Sequence, residues 1–219
     1  MQYRENKIPE ATVQRLSIYL RYVTQLHRDG VKVVSSYDLS KGCGFKAAQV
    51  RKDFAYFGEL GVRGVGYYVK DLYVDLKKIL GLVDIWEVAL VGSGHLGSAL
   101  LAYRGFQEYG FVISAVFDKE TGSLPEKLHS QHRVLPMAKL EETIRDRGIK
   151  IAIVAVPAAA AEEVVESLVT AGVQAILNFA PIKLRMPPEV AVREMDVTLE
   201  LEGLCYMVTE AGAATDGSE

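Results

Sequence analysis

The chain has 219 residues, of which 49% are hydrophobic and 24% are charged, so it can bury a core and is not a disordered chain. Its start, MQYRENKIPEA, lacks the apolar run of a signal peptide, and its longest apolar stretch, 151–161, is too short to span a bilayer. We therefore expect a cytoplasmic protein without a membrane partner, in which Cys43 and Cys205 are reduced thiols. The simpler interpretation of both thiols is passive packing rather than a redox role.

Charge is distributed unevenly along the chain, although the formal net charge is only −3. Through Gly81 there are 14 basic and 8 acidic residues, a net charge of +6, whereas the rest has 11 basic and 20 acidic residues, a net charge of −9. This asymmetry predicts that the first segment contacts a polyanion. The alternative is a basic face that contributes only to solubility.

Residues 1–81 have the pattern of a helical domain with one glycine-rich turnback. Pro9 suits the first turn of a helix, and Gly30 is placed to end that helix. Apolar residues between them recur at three- and four-residue steps, which predicts one buried helix face. These apolar residues are Val13, Leu16, Leu20 and Val23.

A helix-turn-helix follows the first helix. Ser36 is expected to cap a short helix, and the turn 42–44 (GCG) leads into a longer helix over about 46–57. Polar side chains lie off the apolar side of this longer helix and are candidates for DNA contact. They are Gln49, Arg51 and Lys52. For Lys52, a surface ion pair with nearby acids is the alternative.

The next segment, GELGVRGVGYYV over 58–69, predicts a β-hairpin wing with Arg63 and Gly64 near its tip. An arginine held there could enter a minor groove, whose width and potential favour arginine. A surface hairpin with an incidental arginine is the alternative. The helix-turn-helix, the wing and the local positive charge together predict a DNA-binding domain.

After a helix near 71–80, the pattern changes to alternating strands and helices. A strand at 88–91, the spacing G-x-G-x-x-G and a helix at 94–104 predict a dinucleotide site in which a pyrophosphate meets a helix N-terminus. The residues assigned to this turn are Gly92, Ser93, Gly94, His95, Leu96 and Gly97.

The next strand, 112–117, ends at Asp118, 21 residues after Gly97. A carboxylate there can accept hydrogen bonds from both ribose hydroxyls and repels a 2′-phosphate, so NADH and NAD+ are favoured over their phosphorylated forms. Lys119 weakens this preference slightly. The alternatives are an unliganded α/β domain, or one that holds coenzyme A or another nucleotide.

Further strands at 151–156, 175–178 and about 192–197, with helices at 138–147 and 159–171, predict a parallel sheet covered on both faces. The turns that follow two of these strands are candidate walls of a nicotinamide pocket, with ordinary structural turns as the alternative. Their residues are Val156, Pro157, Asn178, Phe179, Ala180 and Pro181.

Little of the chain is left for catalysis. Only 38 residues follow Pro181, too few for a substrate domain, and we find no catalytic residue, nucleophile elbow or metal-ligand cluster in the sequence. The pattern therefore favours a regulator that binds DNA and NAD(H) and has no substrate. The alternatives are a small NAD-dependent oxidoreductase and a regulator that binds coenzyme A.

Three segments resemble the Rex family of redox-sensing transcriptional repressors: QVRKDFAYFGELGVRGVGY at 49–67, GSGHLGSALLAYRGF at 92–106 and ILNFAP at 176–181. The resemblance covers about 9–207. It implies a homodimer that binds a palindromic operator when NADH is scarce and releases it when NADH binds. It also implies that the C-terminal helix is exchanged between subunits, and the alternative is a helix folded onto its own domain. The apolar stripe of this helix is Val197, Leu201, Leu204 and Val208.

The resemblance also implies roles for single residues. Lys52 matches the lysine of the recognition helix and Arg63 the arginine of the wing. Lys46 stands where a capping Ser or Thr is common, so the helix start is expected to contact phosphate instead. Three residues match a set that is coupled to the redox state of the nicotinamide, namely Arg21, Tyr103 and Asp196. The alternative is that Arg21 and Asp196 are ordinary surface or interface charges.

The expected architecture is an N-terminal winged helix-turn-helix domain over 1–84, a Rossmann-type NAD(H)-binding domain over 85–196, and a dimerisation helix with a polar tail over 197–219. The tail is expected to be frayed from residue 210 onward.

Overall fold

A helix-rich unit, Met1–Asp84, and a sheet-containing unit, Ile85–Glu219, make up the chain, and the computed structural model describes residues 8–121 and 132–216. The elements of the first unit are α1 (Glu10–Arg28), β1 (Val33–Val34), α2 (Ser36–Cys43), α3 (Ala47–Ala55), β2 (Tyr67–Tyr68) and α4 (Val69–Ile79).

Helix α1 lies against the core of the first unit through a face that differs by one residue from the expected one. Leu16, Leu20 and Val23 are buried, but Val13 is 40% exposed and Thr12 is buried in its place. Gly30 follows the helix with φ +73°, a conformation that glycine adopts without strain. The apolar core also includes residues from the other helices: Leu39, Val50, Phe54, Leu72 and Leu76.

The helix-turn-helix is formed by α2 and α3, with Gly44 in the left-handed conformation between them. The cap of α2 is Ser35 rather than Ser36, because Ser35 Oγ accepts the Asp38 N–H at 3.1 Å while Asp38 accepts the Ser35 N–H at 3.3 Å. This capping box satisfies two backbone donors at once.

The wing contains less strand than expected. Val62 and Gly66 form an isolated bridge, and the strand that follows, β2, pairs antiparallel with β1 rather than with the first half of the wing. The two-stranded hairpin predicted within 58–69 is therefore wrong in detail, although a tight turn with Arg63 at its tip is present.

Among the described residues of the second unit, six strands form a sheet with the order β5-β4-β3-β6-β7-β8, in which every pairing is parallel. Its strands are β3 (Trp86–Val91), β4 (Phe111–Asp118), β5 (Val134–Pro136), β6 (Ile151–Val154), β7 (Ala175–Asn178) and β8 (Ala191–Glu194). Its helices are α5 (His95–Ala102), α6 (Gly105–Glu108), α7 (Leu140–Arg147), α8 (Ala158–Thr170) and α9 (Val197–Asp216).

Separate apolar clusters cover the two faces of the sheet, one including residues of α7 and α8, the other including residues packed from α5 and α6. The predicted parallel sheet with helices on both faces is confirmed. The strand order reverses between β3 and β6, and in such sheets ligands bind in the crevice outside the carboxyl ends of the strands at this point. Helix α9 continues to Asp216, beyond residue 210 where the polar tail was predicted to begin.

Candidate functional site

The glycine-rich turn after β3 uses its three glycines in different ways. Gly92 has φ +98°, and a Cβ added there would overlap the carbonyl oxygen of Ala155, which follows β6. A Cβ at Gly97 would overlap the carbonyl oxygen of Gly92. Gly94, at the N-cap of α5, has open space around it. Gly92 and Gly97 thus allow the turn to fold, and Gly94 leaves its backbone accessible from the solvent side.

Asp118, at the end of β4, holds this turn in place. Its Oδ2 accepts hydrogen bonds from the Ser93 N–H at 2.6 Å and the Ser93 hydroxyl at 2.8 Å, and its Oδ1 accepts the Glu120 N–H at 3.0 Å. Burial alone would raise the pKa of Asp118, but these hydrogen bonds outweigh it and lower the pKa below the ordinary value. The group is therefore a carboxylate at neutral pH. Ser93 is fully buried, and no sequence pattern indicated that it would be the partner of Asp118.

A cavity of about 320 Å³ opens beside the turn. It brings together five residues predicted for the cofactor site, namely Gly92, Gly94, Asp118, Val156 and Pro157. Other lining residues, including Met137, Ala160 and Val164, were not predicted. Met137 could have been found only by recognising β5, because it follows the carboxyl end of that short strand. Its lining also includes Lys119 and Glu120, so apolar walls combine with two carboxylates and one cation, which suits the apolar and polar parts of a nucleoside.

The first turn of α5 faces outward. His95 and Leu96 are both exposed, and Leu96 is 44% exposed. The first N–H groups of a helix have no acceptor within the helix and attract anions. His95 and Leu96 therefore mark the rim of the turn, although they do not line the 320 Å³ cavity.

The turn after β7 is braced internally. The buried Asn178 amide donates to the carbonyl oxygens of Ala180 at 3.2 Å and Ile182 at 3.0 Å, and its Oδ1 accepts the Ala180 N–H at 2.9 Å. Phe179 is half-buried, Ala180 is buried and Pro181 is exposed. None of the four predicted residues 178–181 lines the 320 Å³ cavity, so the contacts seen in the turn are structural.

On the recognition helix α3, the predicted residues divide into two groups. Lys46, at the N-cap, and Arg51 and Lys52 are exposed, and Arg51 Nη1 donates to Ser36 Oγ at 2.9 Å. Gln49 is half-buried, and its Nε2 donates to Asp53 Oδ1 at 2.8 Å. Three cations are therefore available to a polyanion, whereas the amide of Gln49 is engaged inside the unit.

The tip of the wing is a tight turn that exposes Arg63 and Gly64. Hydrogen bonds in both directions between Val62 and Gly66, at 2.7 and 2.9 Å, close the turn, and Gly64 has φ +80°. A groove of about 570 Å³ lies between the wing and α3, with Arg51 and Arg63 among its lining residues. A concave surface with two arginines suits a phosphate backbone.

The three residues predicted for the redox switch lie in two units. Arg21 is exposed on α1 of the first unit. In the second unit, the exposed Tyr103 ring lies over Gly105, where a Cβ would overlap it, and meets Phe106 edge-on at 5.2 Å.

Asp196 precedes α9 and lies beyond β8, because this strand ends at Glu194 and not at about residue 197 as predicted. Its Oδ1 accepts the Thr198 hydroxyl at 2.5 Å and the Thr198 N–H at 2.9 Å. These bonds lower its pKa below the ordinary value. Asp196 therefore serves as a helix cap in this structure.

Helix α9 exposes large apolar side chains on opposite faces. The predicted stripe, Val197, Leu201, Leu204 and Val208, is 56–73% exposed. Leu199 and Tyr206, which are 61% and 67% exposed, project about 180° away from that stripe at 100° per residue. Such surfaces mark interaction sites in folded proteins.

Residues 8–121 and 132–216 contain neither a metal-ligand cluster nor a membrane-spanning helix. Among these residues, no group of three or more His, Cys, Asp or Glu side chains could hold a metal ion. None of the helices within the same ranges combines the length and apolar character needed to cross a bilayer.

Two family models match separate parts of the chain. Residues 7–55 match the family described as "Putative DNA-binding protein N-terminus", and residues 83–182 match the "CoA binding domain" family.

The chain is also similar to whole proteins. A redox-sensing transcriptional repressor Rex from Carboxydothermus hydrogenoformans is 52% identical over 202 residues, covering 92% of this chain and 97% of the relative. The Rex-family repressor RSP, solved in complex with β-NAD+ and operator DNA, is 32% identical and superimposes with a TM-score of 0.87 over 97% of both chains. The RSP complex with β-NADH has a TM-score of 0.83 at 32% identity, covering 97% of this chain and 99% of RSP.

Proposed function

Because the chain belongs to the Rex family of redox-sensing transcriptional repressors, we propose that it represses transcription by binding operator DNA when NADH is scarce and releases the DNA when NADH binds. The observation that carries this proposal is the match, over 97% of both chains, to a repressor solved with β-NAD+ and operator DNA together. The function is regulation in the cytoplasm, where the operator is, and not turnover of a substrate.

We assign NADH and NAD+ to the second unit. The pyrophosphate would lie over Gly94 and the first turn of α5, with His95, Leu96 and Gly97 in that turn and Ser93 beneath it. The adenosine would enter the 320 Å³ cavity with its ribose at Asp118. The nicotinamide would reach the turn of residues 178–181, whereas Val156 and Pro157, expected at the nicotinamide, line the cavity proposed for the adenosine.

Asp118 favours NAD(H) over coenzyme A. Coenzyme A has a phosphate on its adenosine ribose, as NADPH does, and the lowered pKa of Asp118 keeps a negative charge at this position. The "CoA binding domain" match over 83–182 therefore describes the shared α/β scaffold in our proposal, not the ligand.

We assign operator DNA to the first unit. Lys52 would enter the major groove, Arg63 with Gly64 the minor groove, and Lys46 and Arg51 would contact phosphates beside the 570 Å³ groove. All five are exposed. The domain roles are then DNA binding for 1–84, NAD(H) binding for 85–196 and dimerisation for the helix that begins at residue 197.

A homodimer would explain both the operator and α9. Helix-turn-helix dimers bind palindromic sites because the symmetry of the half-sites matches that of the protein. The two apolar faces of α9 would be buried by a second copy of the chain. We further propose that Arg21, Tyr103 and Asp196 couple the nicotinamide to DNA affinity, since oxidised nicotinamide is positively charged and reduced nicotinamide is neutral.

The proposal is tested by fluorescence anisotropy on a palindromic operator selected from random-sequence DNA, with NADH, NAD+ or coenzyme A added separately. We expect tight binding that NADH alone abolishes. Lys52→Ala and Arg63→Ala should each weaken binding by about 1–3 kcal/mol if they contact bases. Lys78→Ala, which removes an exposed lysine on α4, is the matched control. Release by coenzyme A but not by NADH, or wild-type affinity in both variants, would contradict the proposal.

A further inference from the structure

A fully buried carboxylate lies at the back of the recognition helix. Asp53 is 0% exposed and follows the exposed Lys52 directly. A buried carboxylate is costly unless its lone pairs are satisfied. Here they are, by five hydrogen bonds from four side chains.

Three of these side chains come from one face of α1 and one from α3. Arg15 donates to Asp53 from Nε at 2.6 Å and from Nη2 at 2.7 Å, and Tyr19 donates its hydroxyl at 2.9 Å. Thr12 donates at 3.3 Å, and Gln49, one turn before Asp53, donates at 2.8 Å. The carboxylate thus ties the recognition helix to α1 at one point.

The packing between α1 and α3 also has an apolar and aromatic part. The buried Tyr19 ring meets Phe54 of α3 edge-on at 5.3 Å. Apolar contacts tolerate small sliding movements, whereas a bidentate Arg15–Asp53 pair fixes distance and orientation together. The polar cluster is therefore the part of the described contacts that constrains the position of α3 most closely.

Gln49 is committed to this cluster. A glutamine that reads adenine uses its amide N–H and its carbonyl oxygen together. One of the two N–H groups of Gln49 Nε2 already donates to Asp53, so turning the amide towards a base would weaken or break a hydrogen bond to a buried charge.

We propose that Asp53 is a positioning residue for operator binding, which it serves by fixing α3 on α1, and that Gln49 belongs to this anchor and not to the base-reading residues. This proposal rests on the DNA-binding function proposed above. It predicts that Gln49 influences affinity for every operator sequence equally.

The first experiment compares Gln49→Ala with wild type on the parent operator and on a panel of single-base-pair variants. We expect the same fold-loss on every operator, so that the ranking of the panel is unchanged. Gln25→Ala is the matched control, because Gln25 also donates to an aspartate four residues later, Asp29, but on the exposed end of α1. A loss confined to one base pair would overturn the assignment of Gln49.

The second experiment uses Asp53→Asn, alone and combined with Gln49→Ala. Asp53→Asn should weaken operator binding by at least about tenfold, as expected for lost hydrogen bonds to a charged group. The double variant should bind nearly as well as Asp53→Asn alone, because Gln49 acts through Asp53. Additive losses would overturn the proposal.

Salt dependence distinguishes a displaced helix from a merely less stable unit. A displaced α3 loses phosphate contacts, so the slope of log affinity against log salt should become shallower in Asp53→Asn by about 1 or more. Loss of stability alone lowers the active fraction and leaves the slope unchanged, and that result would overturn the proposal. If Asp53→Asn does not fold, Arg15→Lys, which keeps the charge but loses the bidentate geometry, is measured in the same way. Failure of the wild-type chain to bind any operator would instead refute the proposed function.

Discussion

Replacing Gly94 or Gly97 by alanine separates the folding role of the glycine-rich turn from its binding role. At Gly97 the new methyl group would overlap the carbonyl oxygen of Gly92 and lie 2.9 Å from the carbonyl carbon, so backbone must move whether or not a ligand is present. At Gly94 nothing lies within 4 Å, so only a ligand crossing the turn would meet the methyl group.

The expected magnitudes follow from these contacts. Overpacking at Gly97 should destabilise the second unit by about 1–3 kcal/mol. This loss should lower its melting temperature by several degrees. Gly94→Ala should melt like wild type without ligand, because its backbone, with φ −63°, accepts a side chain. It should nevertheless lose NADH affinity by a factor of about ten or more, since a close backbone approach to pyrophosphate is blocked.

The assays are differential scanning calorimetry with and without NADH, and titration calorimetry with NADH. Operator binding in the absence of NADH serves as the control, because the first unit is unchanged in both variants. Wild-type NADH affinity in Gly94→Ala would refute the position of the pyrophosphate. Wild-type stability in Gly97→Ala would refute the description of the turn.

Four further outcomes are expected. In calorimetry, Asp118→Ala should bind NADH more weakly than wild type does, and the ratio of its affinities for NADH and NADPH should be smaller. NADPH binding as tightly as NADH in wild type would count against the role of this carboxylate. Leu204→Asp should shift the protein towards monomer in light scattering and weaken palindrome binding; an intact dimer would contradict burial of that face. Asp196→Ala and Arg21→Ala should each reduce the effect of saturating NADH on operator affinity, by about 1–3 kcal/mol of coupling. If both variants keep the wild-type ratio of operator affinities without and with NADH, these residues have structural roles only. Because the folded-state pKa of Asp53 is lowered, its stabilisation should be complete above the unfolded value of about 3.9 and be lost as pH falls through the folded pKa. The difference in unfolding free energy between wild type and Asp53→Asn should therefore shrink at acidic pH. A difference that stays constant with pH would argue against a lowered pKa of Asp53 in the folded state.

Features with a strong local cause were predictable from the sequence. The parallel sheet followed from alternating apolar strands and amphipathic helices, and the strand 175–178 was placed at its observed bounds. The glycine spacing identified the turn beside the cavity, and the apolar run 112–117 placed Asp118 at the end of β4. Gly30 ended α1 because few other residues adopt a positive φ there.

Features that depend on distant partners were not predictable. β1 and β2 have two residues each, and each is a strand only because the other lies beside it. Thr12 replaces Val13 in the buried face of α1 because Asp53, 41 residues away, supplies its hydrogen-bond partner. The hydrogen bond from Gln49 to Asp53 was not predicted either, since periodicity alone does not show which polar side chains are paired with each other.

The exposed faces of α9 have a consequence for how the protein assembles. This helix follows every strand of the sheet in the chain, so during synthesis it emerges after the residues that form the sheet. In the dimer proposed above, its apolar side chains would be buried by an encounter between two chains rather than by folding within one. The melting temperature should consequently rise with protein concentration, as mass action requires when association stabilises the folded state. At low cellular abundance, the amount of repressor would itself limit how much of it is assembled and able to occupy an operator.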